Sequence, residues 1–258
     1  PPHQSSAASD VYKRQALTLA QKEGFAEPDP TFDISGQDAA QKTSILATLS
    51  FFQNSSMEKV YFEGIDKISP DDIDYGKQLN FVLKPLSVGM QNKDQITLGS
   101  FPAFVKTDSL LASIQNENNA VLVNAENVGG TMYSGPGAGA KPTANSVLSD
   151  VIDIARGKIF DYGKFVEQNL SSSFDNFSCD RYLKLQVNDK PGVVAKISTL
   201  LAKNNLSIDN LIQKELERSD DQIPLVMVLS NSDETTIQDT IKELEALDEV
   251  SGPLTHIR

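Results

Sequence analysis

From Arg181 to Arg258 the apolar residues change period in an order that few folds can satisfy. RYLKLQV alternates as a half-buried strand does, and NDKPGV interrupts it with turn residues. VVAKISTLLAKN then repeats its apolar positions at helical spacing. LSIDNLIQKEL and IPLVMVLS return to extended runs, TTIQDTIKELEAL is a second amphipathic helix, and VSGPLTHIR is a final strand. The resulting βαββαβ order predicts a separate α+β unit over residues 180–258.

Upstream, residues 16–157 show another rhythm. Extended runs at 59–65, 79–90, 95–105, 119–126 and 130–135 are separated by turn signals. Helices are expected from Asp38 through Phe52, at 70–78 behind Ser69 as N-cap, at 108–113 and at 142–157. A mostly antiparallel sheet covered by helices on one face accommodates this pattern. Residues 158–179 mix aromatics with serine and asparagine and read as a partly packed connector. Residues 1–15 (PPHQSSAASDVYKRQ) lack periodicity and the apolar centre of a signal peptide, and read as a non-native leader outside the fold.

Charge narrows the function classes. The 258 residues carry 35 acids against 23 Lys and Arg, a net charge of -12, which argues against a nucleic-acid partner. No apolar run is long enough to span a bilayer. The single cysteine, Cys179, excludes an internal disulfide and a cysteine metal cage, and the two histidines (His3, His256) offer no triad or metal site. A cytoplasmic enzyme is the simplest fit.

The chemistry-bearing stretch runs from Ala20 to Lys42. Pro28 and Pro30 exclude a helix over 27–32, and Asp38 opens a helical run whose apolar residues are Ile45, Leu46, Leu49 and Phe52. Asp38 and Lys42, four apart, share a helix face. Two readings stand side by side. In one, an acidic loop caps a helix that carries an ordinary ion pair. In the other, carboxylates hold a substrate ammonium while the lysine serves as acid, base or anchor.

The residues Ala20, Gly24, Phe25, Ala26, Asp29, Pro30, Asp33, Ile34, Gly36, Asp38 and Lys42 resemble, at every spacing, the signature segment of homoserine dehydrogenases. Phe25 departs from the tyrosine found in many members. The resemblance continues through EGIDKIS (63–69), SFPAFV (100–105), NAVLV (119–123) and GPGAGAKPTANSVLSDVIDIA (135–155). It implies interconversion of L-homoserine and L-aspartate 4-semialdehyde with NAD or NADP. It further implies that Lys42 exchanges the proton at the reacting oxygen, that Glu27 binds the substrate amino group, and that Asp33 and Asp38 complete the pocket. In this family a nucleotide-binding half precedes the segment, so the chain by itself is expected to be inactive.

Gly135, Gly137 and Ala140 satisfy a dinucleotide-binding spacing, but no second parallel strand follows. The resemblance instead implies a glycine loop closing on the cofactor through Gly137 and Gly139. The C-terminal order implies a ferredoxin-like sandwich, and DKPGV (189–193) makes it similar to an ACT regulatory domain. A strand-to-helix turn explains DKPGV equally well in isolation. The resemblance implies an amino-acid effector, expected to be threonine, at Asp189, Gly192 and Val193, and an even homo-oligomer. The competing function is a stand-alone amino-acid-binding or interaction protein.

Overall fold

Gly36, at φ 83° and ψ 4°, joins two helices through a left-handed turn that glycine adopts freely. The computed structural model describes residues 15, 18–19, 21–22, 29, 31–52, 55–92, 95–158, 171–213 and 222–258. The helices flanking Gly36 are α1 (Thr31–Ile34) and α2 (Gln37–Phe51). The face that α2 buries is Ala40, Thr43, Ser44 and Ala47, spaced as one helical stripe. Small residues let the helix backbone approach the sheet, where Ala40 and Ala47 meet Val60, Ile96 and Leu98. Ile45, Leu46, Leu49 and Phe52 point outward and are exposed.

Beneath α2 lies a mixed sheet. Strands β2 (Phe81–Asn92) and β3 (Gln95–Lys106) pair antiparallel from Phe81↔Lys106 to Asn92↔Gln95. The expected strand over 59–65 shortens to β1 (Tyr61–Phe62), parallel to β3. It stops there because Gly64 meets the backbone of Ile34 and Ser35, and Ile65 donates to the Ile34 carbonyl at 3.0 Å. The 70–78 helix is α3 (Pro70–Gln78), closed by a capping box between Ser69 and Asp72. The segment expected as a helix at 108–113 is a 3-10 turn, Leu110–Ser113. Strands β4 (Asn118–Ala125) and β5 (Gly129–Pro136) form a hairpin of their own, followed by α4 (Ala140–Ala155). In the connector, β6 (Ser171–Ser172) pairs parallel with β3, while Phe174 and Phe177 pack on Phe101.

The C-terminal unit has the expected ferredoxin-like topology. Its elements are β7 (Ser178–Asn188), α5 (Val193–Lys203), β8 (Ile208–Gln213), β9 (Gln222–Asp233), α6 (Glu234–Glu245) and β10 (Val250–Ile257). The strand order is β10-β7-β9-β8. Leu183, Leu185, Val187, Leu225, Met227 and Leu229 form one core with Ile197, Leu201, Ile237 and Leu244 of the helices. Each such side chain contributes about 1.5–3 kcal/mol of burial. The intervening Tyr182 and Val226 occupy the opposite face and pack on Ile68 and Tyr75 of the N-terminal unit. Both faces of β7 and β9 are thus covered, which explains the continuous apolar run in β9. The two units also share a backbone bond, Phe104 donating to the Arg258 carbonyl at 2.6 Å. Among the described residues, no helix is long and apolar enough to cross a membrane.

Candidate active site

The Asp29 carboxylate accepts the Thr31 amide at 3.1 Å at the start of α1. Its hydrogen bonds to the Thr31 side chain and amide lower the Asp29 pKa. Asp33 lies exposed in α1, and its carbonyl accepts the Gly36 amide at 3.3 Å. Beyond that turn Asp38 stands in the first turn of α2, and Lys42 donates to its carboxylate one turn later. The Lys42 side chain is 66% exposed and that of Asp38 34%. An exposed pair of this kind contributes only about 0.3–0.5 kcal/mol to a helix, too little to account for the pairing as a fold requirement. Chemically, it presents an ammonium able to give up a proton beside a carboxylate able to orient it. The structure brings Asp38 and Lys42 into contact; Glu27 lies outside the described residues.

The glycine loop leads from β5 into α4. Gly137 donates to the Glu117 carbonyl at 2.8 Å, and a Cβ there would lie 2.0 Å from Nδ2 of the Asn119 side chain. Gly139 precedes the helix at φ 111°, where a Cβ would meet nothing nearer than Pro142 Cδ at 3.7 Å. Its backbone is therefore open to close approach at a helix start, the geometry that accepts phosphate or carboxamide oxygens. In the C-terminal unit Gly192 adopts φ 94° ahead of α5, Val193 is buried in the core, and Asp189 is exposed.

Between the units lies a buried ionic network. Arg181 is fully buried and donates to Glu234 at 2.8 Å and to the carbonyls of Ser232 and Phe177. Arg258, equally buried, bridges Glu234 of its own unit to Glu63 and to the Tyr61 hydroxyl (2.9 Å) of the other. Its guanidinium lies 4.8 Å from the ring centroids of both Tyr61 and Phe101. Burial alone would raise the Glu234 pKa, but hydrogen bonds from Arg258 and Gln238 and the Arg181 charge hold it below its ordinary value. A second bridge joins Lys184 to buried Asp72 at 2.6 Å, with the Tyr182 hydroxyl donating to the same carboxylate at 3.0 Å. Burial, then the Asp72 charge, push the Tyr182 hydroxyl pKa up. The local signal was Ser69, legible as the N-cap, and the structure closes its capping box with Asp72. Their partners lie more than a hundred residues away.

A family profile for homoserine dehydrogenase matches residues 5–152, and an ACT domain profile matches residues 181–249. The chain belongs to the homoserine dehydrogenase family. A homoserine dehydrogenase of Pseudomonas aeruginosa is 38% identical over 253 residues, covering 94% of this chain and 58% of that protein. One of Bacillus subtilis is 33% identical, covering 92% and 56%. Among solved structures, a homoserine dehydrogenase from Thiobacillus denitrificans superimposes with a TM-score of 0.83 at 33% identity, covering 95% of this chain and 57% of that one. The chain thus spans a little over half the length of the relatives it matches. The α+β fold with a C-terminal ACT unit is the architecture expected of this part of a homoserine dehydrogenase.

Proposed function

We propose that the chain is the substrate-binding and regulatory portion of a cytoplasmic homoserine dehydrogenase that interconverts L-homoserine and L-aspartate 4-semialdehyde. The observation that carries this reading is the Asp38–Lys42 pair, presented outward on a helix whose opposite face is locked into the core. Lys42 delivers a proton to the substrate oxygen as the carbonyl becomes an alcohol and takes it back in the reverse direction. Asp38 orients that ammonium, Glu27 holds the substrate amino group, and Asp33 completes the polar pocket with Asp38. Gly137 and Gly139 fit the neighbourhood of a nicotinamide nucleotide, NAD or NADP, because Gly139 leaves its backbone uncovered at a helix start. When bound, that nucleotide supplies the hydride acceptor or donor. We assign residues 16–157 to catalysis and association, 158–179 to a connector and 180–258 to regulation. Threonine is the effector we assign to Asp189, Gly192 and Val193.

The test is cofactor-dependent oxidation of homoserine by the full-length protein. Lys42→Ala lowers kcat by roughly 10²–10⁴-fold, whereas Glu27→Ala acts chiefly on the KM for homoserine. The 258 residues alone turn over none. Unaltered kinetics in Lys42→Ala return Asp38 and Lys42 to an ordinary helix ion pair. A full-length protein that binds amino acids but oxidises no homoserine is a binding protein instead.

A further inference from the structure

We propose that Arg258, in the ACT unit, is a positioning residue for the helix that carries Asp38 and Lys42. The inference rests on the reading of those two residues as the reactive pair. Arg258 grips the Glu63 carboxylate and the Tyr61 hydroxyl, and Tyr61 also donates to Glu63. Three aromatic rings (Tyr61, Phe101 and Phe174) surround the guanidinium, so its direction is fixed by packing as well as by charge.

Glu63 is the point at which this grip reaches the backbone. Its amide donates to the Ser100 carbonyl of β3 at 2.9 Å, which ties it to the central strand. Its own carbonyl lies against Gly36, so closely that a Cβ on Gly36 would stand 2.7 Å from it. A Cβ on the next residue, Gly64, would stand 2.3 Å from the Ile34 carbonyl and 2.9 Å from Ser35 Cα. Segments 34–36 and 63–65 therefore touch backbone to backbone, with no compliant side chain between them. Gly36 in turn sets the start of α2, its carbonyl accepting the Ala40 amide at 3.0 Å. Asp38 follows two residues on, and Lys42 one turn after that. A change in how Arg258 holds Glu63 moves the turn that aims both groups.

The experiment pairs hydrogen exchange with kinetics on the full-length protein, comparing wild type, Arg258→Gln and Glu63→Gln. In both variants the amides of Ala40 to Thr43 are expected to exchange about tenfold faster, while those of β2 and of the α5 and α6 cores keep their rates. The kcat falls roughly ten- to a hundredfold with the KM for the nicotinamide nucleotide unchanged. Glu63 is at the rim of the network, so Glu63→Gln decides the matter even where Arg258→Gln fails to fold. Unaltered exchange at Ala40–Thr43 in Glu63→Gln overturns the proposal, as does acceleration spread evenly over the whole protein, since either leaves Arg258 as interdomain adhesive alone. Because exchange is read without turnover, a protein that oxidises no homoserine yet shows the selective change sinks the dehydrogenase reading and leaves the mechanical link standing.

Discussion

His256 shows what a single residue pays for its place in the fold. It stands in β10 opposite Leu183, with Nε2 sealed from solvent and, among the described residues, without a hydrogen-bond partner. Burial first, then the charges of Arg258 and Arg181, lower its pKa from 6.5 to about 3, against a smaller upward pull from Glu234. The folded chain therefore keeps the imidazole neutral where the unfolded chain protonates it. Stability from this residue is fully present above about pH 6.5 and is lost as pH falls toward about 3. We predict that wild type loses stability between pH 7 and 5 with an extra slope approaching about 1.4 kcal/mol per pH unit, relative to His256→Gln. Urea midpoints at the two pH values measure the difference; parallel curves for both proteins would refute it.

At the scale of elements, the α5 turn offers a cleaner test. A side chain at Gly192 meets open space, so its only cost is the left-handed backbone, about 1–2 kcal/mol. Gly192→Val should therefore fold with a modestly lower Tm yet lose the threonine binding proposed for this turn, because the strained backbone shifts its amides. Calorimetry giving equal threonine affinity for both proteins would remove the effector from this turn. Most elements were legible in the sequence because their signals are local. Ser69 announces α3 as its N-cap, and Pro191-Gly192 announces the turn before α5. The faces were less legible. In α2 the bulky Ile45, Leu46, Leu49 and Phe52 mark the apolar side, yet Ala40, Thr43, Ser44 and Ala47 are what the sheet admits. Helix-to-sheet distance decides that choice, and no local pattern encodes it. The interdomain network was illegible for a related reason: Arg258 and Glu63 are 195 residues apart. In the candidate site, the i,i+4 spacing of Asp38 and Lys42 was readable as contact, whereas the abutment of Gly36 on Glu63 was not.

At the scale of the molecule, the exposed surface argues for association. An isolated two-stranded hairpin is marginal in water, yet β4–β5 pairs fully from Asn118↔Pro136 to Ala125↔Gly129 and exposes Val121, Val123 and Tyr133. Helix α4 buries none of its residues and exposes Val147, Leu148, Val151, Ile152 and Ile154. We predict that the full-length protein sediments as a dimer or higher even oligomer at micromolar concentration, and that Tyr133→Asp in β5 shifts it toward monomer. A wild-type monomer under those conditions would overturn the prediction. The junction between the units has a consequence for inheritance. ACT units look like interchangeable cassettes, but a recombination event near residue 180 would deliver Lys184 and Arg258 without Asp72 and Glu63. Arg258 keeps Glu234 within its own unit, but Asp72, fully buried, loses Lys184, and orphaning one partner of a buried ion pair costs about 3–5 kcal/mol, enough to disable many marginally stable hybrids. This cassette can be traded only together with the surface on which it docks, so the two halves are expected to descend as one unit.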